Sequence, residues 1–95
     1  MEHAIEHQES DANGAFYVQK DGHRLAVITY RRTGPATVSI DHTKVDDSLR
    51  GQGIGQDLVQ AVVEWARGTG TKVVPLCSYA KAKFDSDASI RDVLA

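Results

Sequence analysis

The sequence lacks several features that mark specialised classes of protein. Cys77 is the single cysteine among 95 residues, which excludes an internal disulfide and a zinc site built from cysteines. No apolar run approaches the roughly 20 residues of a membrane-spanning helix. The first ten residues have neither the basic nor the apolar region of a secretory signal. We therefore expect a cytoplasmic protein that does not enter membranes.

An excess of positive charge is also missing. Eleven Lys and Arg against thirteen Asp and Glu give a net charge of −2, and bulk charge therefore gives no reason to expect nucleic-acid binding. We expect a monomer or a weak dimer.

The segment His3-Ala4-Ile5-Glu6-His7 matches the HxxEH pattern of some zinc proteases. It lies among acidic residues with little to support a metal site, so we expect no metal ion.

The chain divides into an acidic arm and one domain. Residues 1–14 contain Glu2, Glu6, Glu9 and Asp11 but no Lys or Arg, and we expect a flexible arm there. Residues 15–95 are enough for a single domain with one sheet and its covering helices.

The domain begins with a pattern of short strands. Strands are predicted over residues 15–20, 23–31 and 36–45, joined by turns at Asp21-Gly22 and Gly34-Pro35. Apolar residues at helical spacing over 53–67 then predict an amphipathic helix that ends at Gly68 or Gly70.

A short apolar strand is predicted over residues 71–77. Because a helix separates it from the third strand, it should lie parallel to that strand through a right-handed crossover. Ser78 is expected to cap a helix over 79–84, and residues 89–94 add a last turn. The order βββαβα therefore predicts an α+β fold whose mixed sheet combines an antiparallel meander with one parallel strand.

A glycine-rich loop connects the third strand to the first helix. The first amides of a helix have no partner within it and bind phosphate readily. A P-loop would need Lys-Ser or Lys-Thr where Gln56-Asp57 stands, and a dinucleotide fold would need GxGxxG. The remaining pattern is Arg50-x-x-Gly53-x-Gly55, for which the alternative is a tight turn that binds nothing.

Two motifs resemble a known family. The loop, with Val45 five residues before it, resembles the acetyl-CoA pyrophosphate loop of the GNAT N-acetyltransferases. Two further segments resemble a small single-module subgroup of that superfamily, His42-Thr43-Lys44-Val45 and Val73-Val74-Pro75-Leu76-Cys77-Ser78-Tyr79. The resemblance implies a GNAT-like fold over residues 15–95 that binds acetyl-CoA. The implied contacts are the pyrophosphate with Arg50, Gly51, Gln52, Gly53, Ile54 and Gly55, and the pantetheine with Thr43, Lys44 and Val45.

Pro75 has two interpretations within this picture. Proline has no N–H for a sheet ladder. If the missing N–H faces the third strand, the two parallel strands can separate there and admit the pantetheine arm. Alternatively, Pro75 marks only the edge of its strand.

Three residues are candidates for the chemistry. His42 and Cys77 lie near the carboxyl ends of strands that should be adjacent, so we expect them to meet. Histidine titrates near neutral pH and suits the base, although alternation with Val38 and Ile40 places His42 on the core face unless a bulge reverses it. Cys77 precedes a helix start and could carry an acetyl group or protonate the departing thiolate; a small buried hydrophobe is the alternative. Tyr79 is the only phenol near the place where this superfamily often has a tyrosine as general acid.

The resemblance implies an acetyl-CoA-dependent N-acetyltransferase. Because no long N-terminal helices close off the acceptor site, we expect a peptide, protein or small-amine acceptor. A CoA-binding sensor or interaction module without turnover is the alternative, and an interaction domain that binds no cofactor is a third possibility.

Overall fold

The fold is built on one five-stranded sheet with the strand order β1-β2-β3-β4-β5. The computed structural model describes residues 4–95. The first four strands are antiparallel and β5 is parallel to β4. The predicted α+β fold with a mixed sheet is confirmed. The strands are β1 (Glu6–Glu9), β2 (Asn13–Lys20), β3 (His23–Gly34), β4 (Thr37–Val45) and β5 (Lys72–Pro75).

Two α-helices and two 3₁₀ turns complete the chain: α1 (Ile54–Thr69), α2 (Ser78–Ser86), and the 3₁₀ turns Asp47–Leu49 and Ala88–Val93. Helix α1 ends at Gly70, whose φ of 70° is the left-handed conformation that glycine adopts at helix ends. The cap of α2 is Cys77 rather than the predicted Ser78, because the Cys77 Sγ accepts the Ala80 N–H at 3.3 Å. No helix within residues 4–95 is long and apolar enough to cross a membrane.

All helices pack on one face of the sheet. The buried side of α1, including Leu58 and Val62, joins Ile28 and Ile40 of the sheet in one core. Phe84 of α2 belongs to the same core. Because successive side chains of a strand alternate between faces, these sheet residues all lie on the helix side. The opposite face carries no helix formed by residues 4–95, and we call it the open face.

Strand β1 shows that the prediction of a flexible arm is wrong for residues 6–9. These residues pair antiparallel with β2, from Glu6 opposite Tyr17 to Glu9 opposite Gly14. The pairing is supported by His7, whose ring stacks on Phe16 at a centroid distance of 4.0 Å. Of the predicted arm, residues 1–3 lie outside the described part of the chain.

Candidate functional site

A β-bulge at Asp41 sets the direction of the site residues on β4. Ile40 lies opposite Tyr30, but the next opposed pair is His42 with Thr29, so Asp41 is an extra residue. Such a bulge reverses the alternation of the side chains that follow it. The core face therefore passes from Ile40 to Thr43 and Val45.

His42 consequently lies on the open face and is exposed. Simple alternation would have buried it beside Val38 and Ile40, and that interpretation is wrong because of the bulge. One signal in the sequence points to the bulge. Val45 is apolar but out of phase with Val38 and Ile40, which requires one extra residue between them.

Strands β4 and β5 separate at the bulge. Their pairing ends at Ile40 opposite Pro75, where the Ile40 carbonyl accepts the N–H groups of both Leu76 and Cys77, at 3.0 and 3.1 Å. Beyond this point β4 continues to Val45 with no neighbour from β5. We call this gap, between the free side of β4 at 43–45 and Cys77, the β4–β5 opening.

The backbone of β4 presents polar groups to the opening. Asp46 N–H donates to the Leu25 carbonyl on β3 at 2.7 Å. Because backbone groups alternate in direction along a strand, Lys44 also faces β3. The N–H and C=O groups of Thr43 and Val45 then face the opening. Lys44, predicted as a cofactor contact, instead turns its backbone to β3 and its side chain to the open face.

Pro75 is not the cause of the separation. Lys72 and Leu76 both donate to β4, to the carbonyls of Ala36 and Ile40. Pro75, at the alternate position, faces the outer edge of β5, as does Val73, whose carbonyl accepts the Ala95 N–H at 3.0 Å. The strand-edge interpretation of Pro75 is correct. The strands separate because β5 ends there and the chain turns into α2.

The glycine loop, residues 50–55, leads directly into α1. Gly51 and Gly53 have φ values of 83° and 72°, which only glycine adopts easily, and no atom lies within 4 Å of where their Cβ atoms would be. Gly53 is the N-cap of α1 and supplies no side-chain hydrogen bond to the helix. The first amides of α1 therefore remain available to an anion, supported by the helix dipole. Arg50 lies beside them in an exposed ion pair with Asp47 at 2.9 Å.

A cavity of about 190 Å³ joins this loop to the end of β4. Its walls include Val45 and Leu49 on one side and Tyr79 on the other. The Tyr79 hydroxyl lies only 2.5 Å from where a Cβ at Gly55 would be, so a glycine is needed there for close contact. Partial burial, and secondarily the charge of Asp57, raise the pKa of Tyr79 above its usual value, so the phenol keeps its proton at neutral pH.

Cys77 meets Thr43 and not His42 at the opening. The Cys77 Sγ lies 3.3 Å from the Thr43 Oγ1 and is half-buried. Adjacent residues of a strand point to opposite faces, so His42 lies on the other side of the sheet from this pair. The expectation that His42 and Cys77 meet is therefore wrong. The contact between Thr43 and Cys77 was not predicted as a pair, because the bulge decides it.

Within residues 4–95 no three His, Cys, Asp or Glu side chains are placed to bind a metal ion. His3, the first ligand position of the HxxEH pattern, lies outside the described residues. His7, its last position, is engaged with the Tyr30 hydroxyl at 2.6 Å.

A family model described as GCN5-related N-acetyl-transferase matches residues 15–93. The chain belongs to this family. The acetyltransferase resemblance of the glycine loop is thereby confirmed at the level of the family. The fold is also that of a GCN5-like protein from Staphylococcus aureus, known from a solution structure, with 38% identity and a TM-score of 0.75. That match covers 95% of this chain and 87% of the other.

Two further proteins are similar to this chain over a smaller part of its length. Protein NATD1 of Xenopus tropicalis is 35% identical over 65 residues, which are 67% of this chain and 60% of that protein. This chain thus matches about 60% of the length of that relative. A ribosomal-protein-alanine N-acetyltransferase from Brucella melitensis shares 20% identity and a TM-score of 0.64, covering 81% of this chain and 62% of the other, and shows a common fold.

Proposed function

We propose that this GCN5-related domain transfers an acetyl group from acetyl-CoA to the amine of an open peptide, protein or small-molecule acceptor. The observation that carries the proposal is the continuity of the β4–β5 opening with the glycine loop. The cavity lined by Val45, Gly53 and Tyr79 connects the two. A long cofactor with an anionic end and an amide-containing arm matches this surface in both chemistry and direction.

The residues fit the two parts of coenzyme A differently. The uncapped amides at the start of α1, with the open positive-φ positions Gly51 and Gly53, suit its diphosphate. The outward N–H and C=O groups of Thr43 and Val45 suit the amides of its pantetheine arm, as an added strand would. Bound in this way, acetyl-CoA would supply an activated thioester at the opening.

The transfer requires a neutral amine and a proton for the sulfur that leaves. The amine nitrogen forms a bond to the thioester carbonyl carbon, the carbon–sulfur bond breaks, and the nitrogen loses one proton while the thiolate gains one. His42, exposed beside the bulge on the open face, is the proposed acceptor of the amine proton. Cys77, at the opening, is the proposed donor to the thiolate. Tyr79, whose hydroxyl lies close to Gly55, is the proposed donor of a hydrogen bond to the cofactor.

The rival function is binding of CoA without turnover. It is favoured by one observation, the placement of His42 and Cys77 on opposite sides of the sheet. The two functions agree on cofactor binding and differ only in acetyl transfer. A test therefore has to measure both in the same preparation.

Release of free thiol from acetyl-CoA, in the presence of a panel of amines, separates the two functions. We expect release by the wild-type protein and at least about a hundredfold less by a His42→Ala/Cys77→Ala double variant, because general acid and base groups each contribute about 10² or more. His23→Ala, at an exposed turn, is the matched control and should keep the wild-type rate. Equal release by the double variant and the wild type would contradict the enzymatic proposal, even if both bind CoA.

A further inference from the structure

One row of side chains crosses the open face from β1 to His42. Gln8 lies opposite Ala15, Ala15 opposite Thr29, and Thr29 opposite His42. Cross-strand partners share a face of the sheet, so these four side chains form a line across four strands. The two in the middle are small. A line of small residues between larger neighbours leaves a groove, which we call the cross-sheet groove.

The cross-sheet groove contains a cavity of about 390 Å³. Ala15 forms part of its floor and is only 6% exposed, although it does not belong to the core on the helix side. Arg24 lines one end, while Arg31 and Asp41 line the other. Because Asp41 is the bulge residue that directly precedes His42 in β4, this second end of the groove lies next to the proposed base.

The lining of the groove is more positive than the molecule as a whole. It carries two guanidinium groups and one carboxylate, whereas the chain has a net charge of −2. Arg24 is fixed over the Tyr17 ring at 3.9 Å and donates to the Gln8 side-chain oxygen. Arg31 is 58% exposed and its Nε lies 3.8 Å from Asp41, too far for a hydrogen bond. Each guanidinium group has five N–H donors, so both retain donors for a carboxylate of a ligand.

We propose that the cross-sheet groove binds the acceptor, and that the acceptor is an acidic peptide with a free amino terminus. This inference rests on the proposed function and adds the chemical class of the substrate. The amino terminus would lie by Asp41 and His42, whose carboxylate and imidazole suit an amine. The acidic side chains of the peptide would lie by Arg31 and Arg24.

The length of the groove sets the length of the peptide that it binds. Four strands span three inter-strand spacings, or about 14 Å. An extended chain covers that distance in about four residues. Discrimination should therefore act on the first four residues of the acceptor and not on positions farther along.

The test compares two tetrapeptides with free amino termini, one with glutamate at position two, near Arg31, and at position four, near Arg24, and one with glutamine at both positions. Acetylation of each is followed by mass spectrometry, and binding by changes in amide NMR shifts of the protein. We expect the wild-type protein to prefer the glutamate peptide in kcat/KM by about fivefold, since partly exposed ion pairs contribute modestly. In Arg24→Gln and in Arg31→Gln the preference should fall toward one.

Two controls make the result specific to the groove. Lys81→Gln removes one positive charge from α2 on the helix side of the sheet and should leave the preference unchanged. CoA binding, measured by thermal shift, should be the same in both arginine variants as in the wild type. An equal rate on both peptides, or a preference that survives both arginine substitutions, would overturn the groove assignment while leaving acetyl transfer intact.

The failure of the proposed function gives a different pattern. In one outcome neither peptide is acetylated, but the glutamate peptide still changes the amide NMR signals of Ala15 and Thr29, and changes them less in Arg24→Gln. The groove is then a binding site for the peptide, and the enzymatic proposal fails. If neither peptide shifts these residues, the groove proposal is wrong whatever the protein acetylates.

Discussion

Gly55 lies close to the side chain of Tyr79 in α2. A Cβ at residue 55 would lie 2.5 Å from the Tyr79 hydroxyl and 2.8 Å from its ring carbon Cζ. Tyr79 is nevertheless 37% exposed, so its ring has room to turn away. The glycine therefore serves to keep Tyr79 over the start of α1, where it forms part of the cavity wall, more than to permit folding.

Substitution of Gly55 by alanine should be coupled to Tyr79. In a Tyr79→Ala background we expect Gly55→Ala to stabilise the protein by about 0.5–1 kcal/mol, because alanine is the better helix residue. In the wild-type background the displaced ring should cancel most of that gain. A double-mutant cycle on the free energy of unfolding in urea measures the difference. Gly68→Ala, near the end of α1 with nothing within 4 Å of its Cβ position, should act alike in both backgrounds. Equal effects of Gly55→Ala with and without Tyr79 would contradict the coupling.

Strand β1 has one aromatic ring, that of His7, to place against the sheet. Its four residues are all classed as exposed, so they add little apolar burial. His7 faces the helix side, where it stacks on Phe16, contacts the edge of Trp65 at 5.4 Å and hydrogen-bonds the Tyr30 hydroxyl at 2.6 Å. The attachment of β1 should therefore follow the charge of His7.

We expect acidification to weaken β1. Partial burial lowers the pKa of His7, and the nearby Glu9 offsets this only in part. Because the folded state prefers the neutral ring, its contribution is complete above the ordinary histidine pKa near 6.5 and is lost as the pH falls below it. Urea unfolding at pH 7.5 and pH 5.0 should show a smaller loss of stability in His7→Phe than in the wild type. His23→Gln, at an exposed turn, should lose as much as the wild type. An unchanged pH dependence in His7→Phe would exclude this role.

The elements also show what the sequence could and could not predict. Helix α1 was predicted over 53–67 and runs from Ile54 to Thr69, because its apolar period is long and glycines lie at both ends. Strand β1 was missed, since its sequence Glu-His-Gln-Glu has no apolar alternation. The glycine loop was placed correctly between strand and helix. The facing of His42 was not, because the out-of-phase Val45 indicates an extra residue in β4 but does not place it, and its position depends on cross-strand pairing.

At the scale of the whole molecule, the sheet separates two surfaces, and the β4–β5 opening lies between them. The cavity at the glycine loop lies on the helix side, with Tyr79 and the start of α1 in its wall. The larger cavity lies on the open face, with Arg24 and Arg31 in its wall. A cofactor on one side and an acceptor on the other would approach each other through the gap that follows Ile40. The strands part where β5 ends, and the extra residue Asp41 at the same point determines which face His42 serves.

The proposed binding of coenzyme A on the helix side predicts which parts of that molecule raise the thermal stability of the protein. A ligand at 100 times its Kd stabilises a protein by about 2.7 kcal/mol, which for a domain of this size raises Tm by about 10 °C or more. We expect such a rise with CoA and with dephospho-CoA, since both carry the diphosphate for the amides after Gly53. Pantetheine lacks the diphosphate and should raise Tm far less at the same concentration, because only the Thr43 and Val45 contacts remain to it. Differential scanning fluorimetry with the three ligands makes the comparison. An equal rise with pantetheine would mean that the glycine loop does not bind the diphosphate, since removing that group would then have removed no contact.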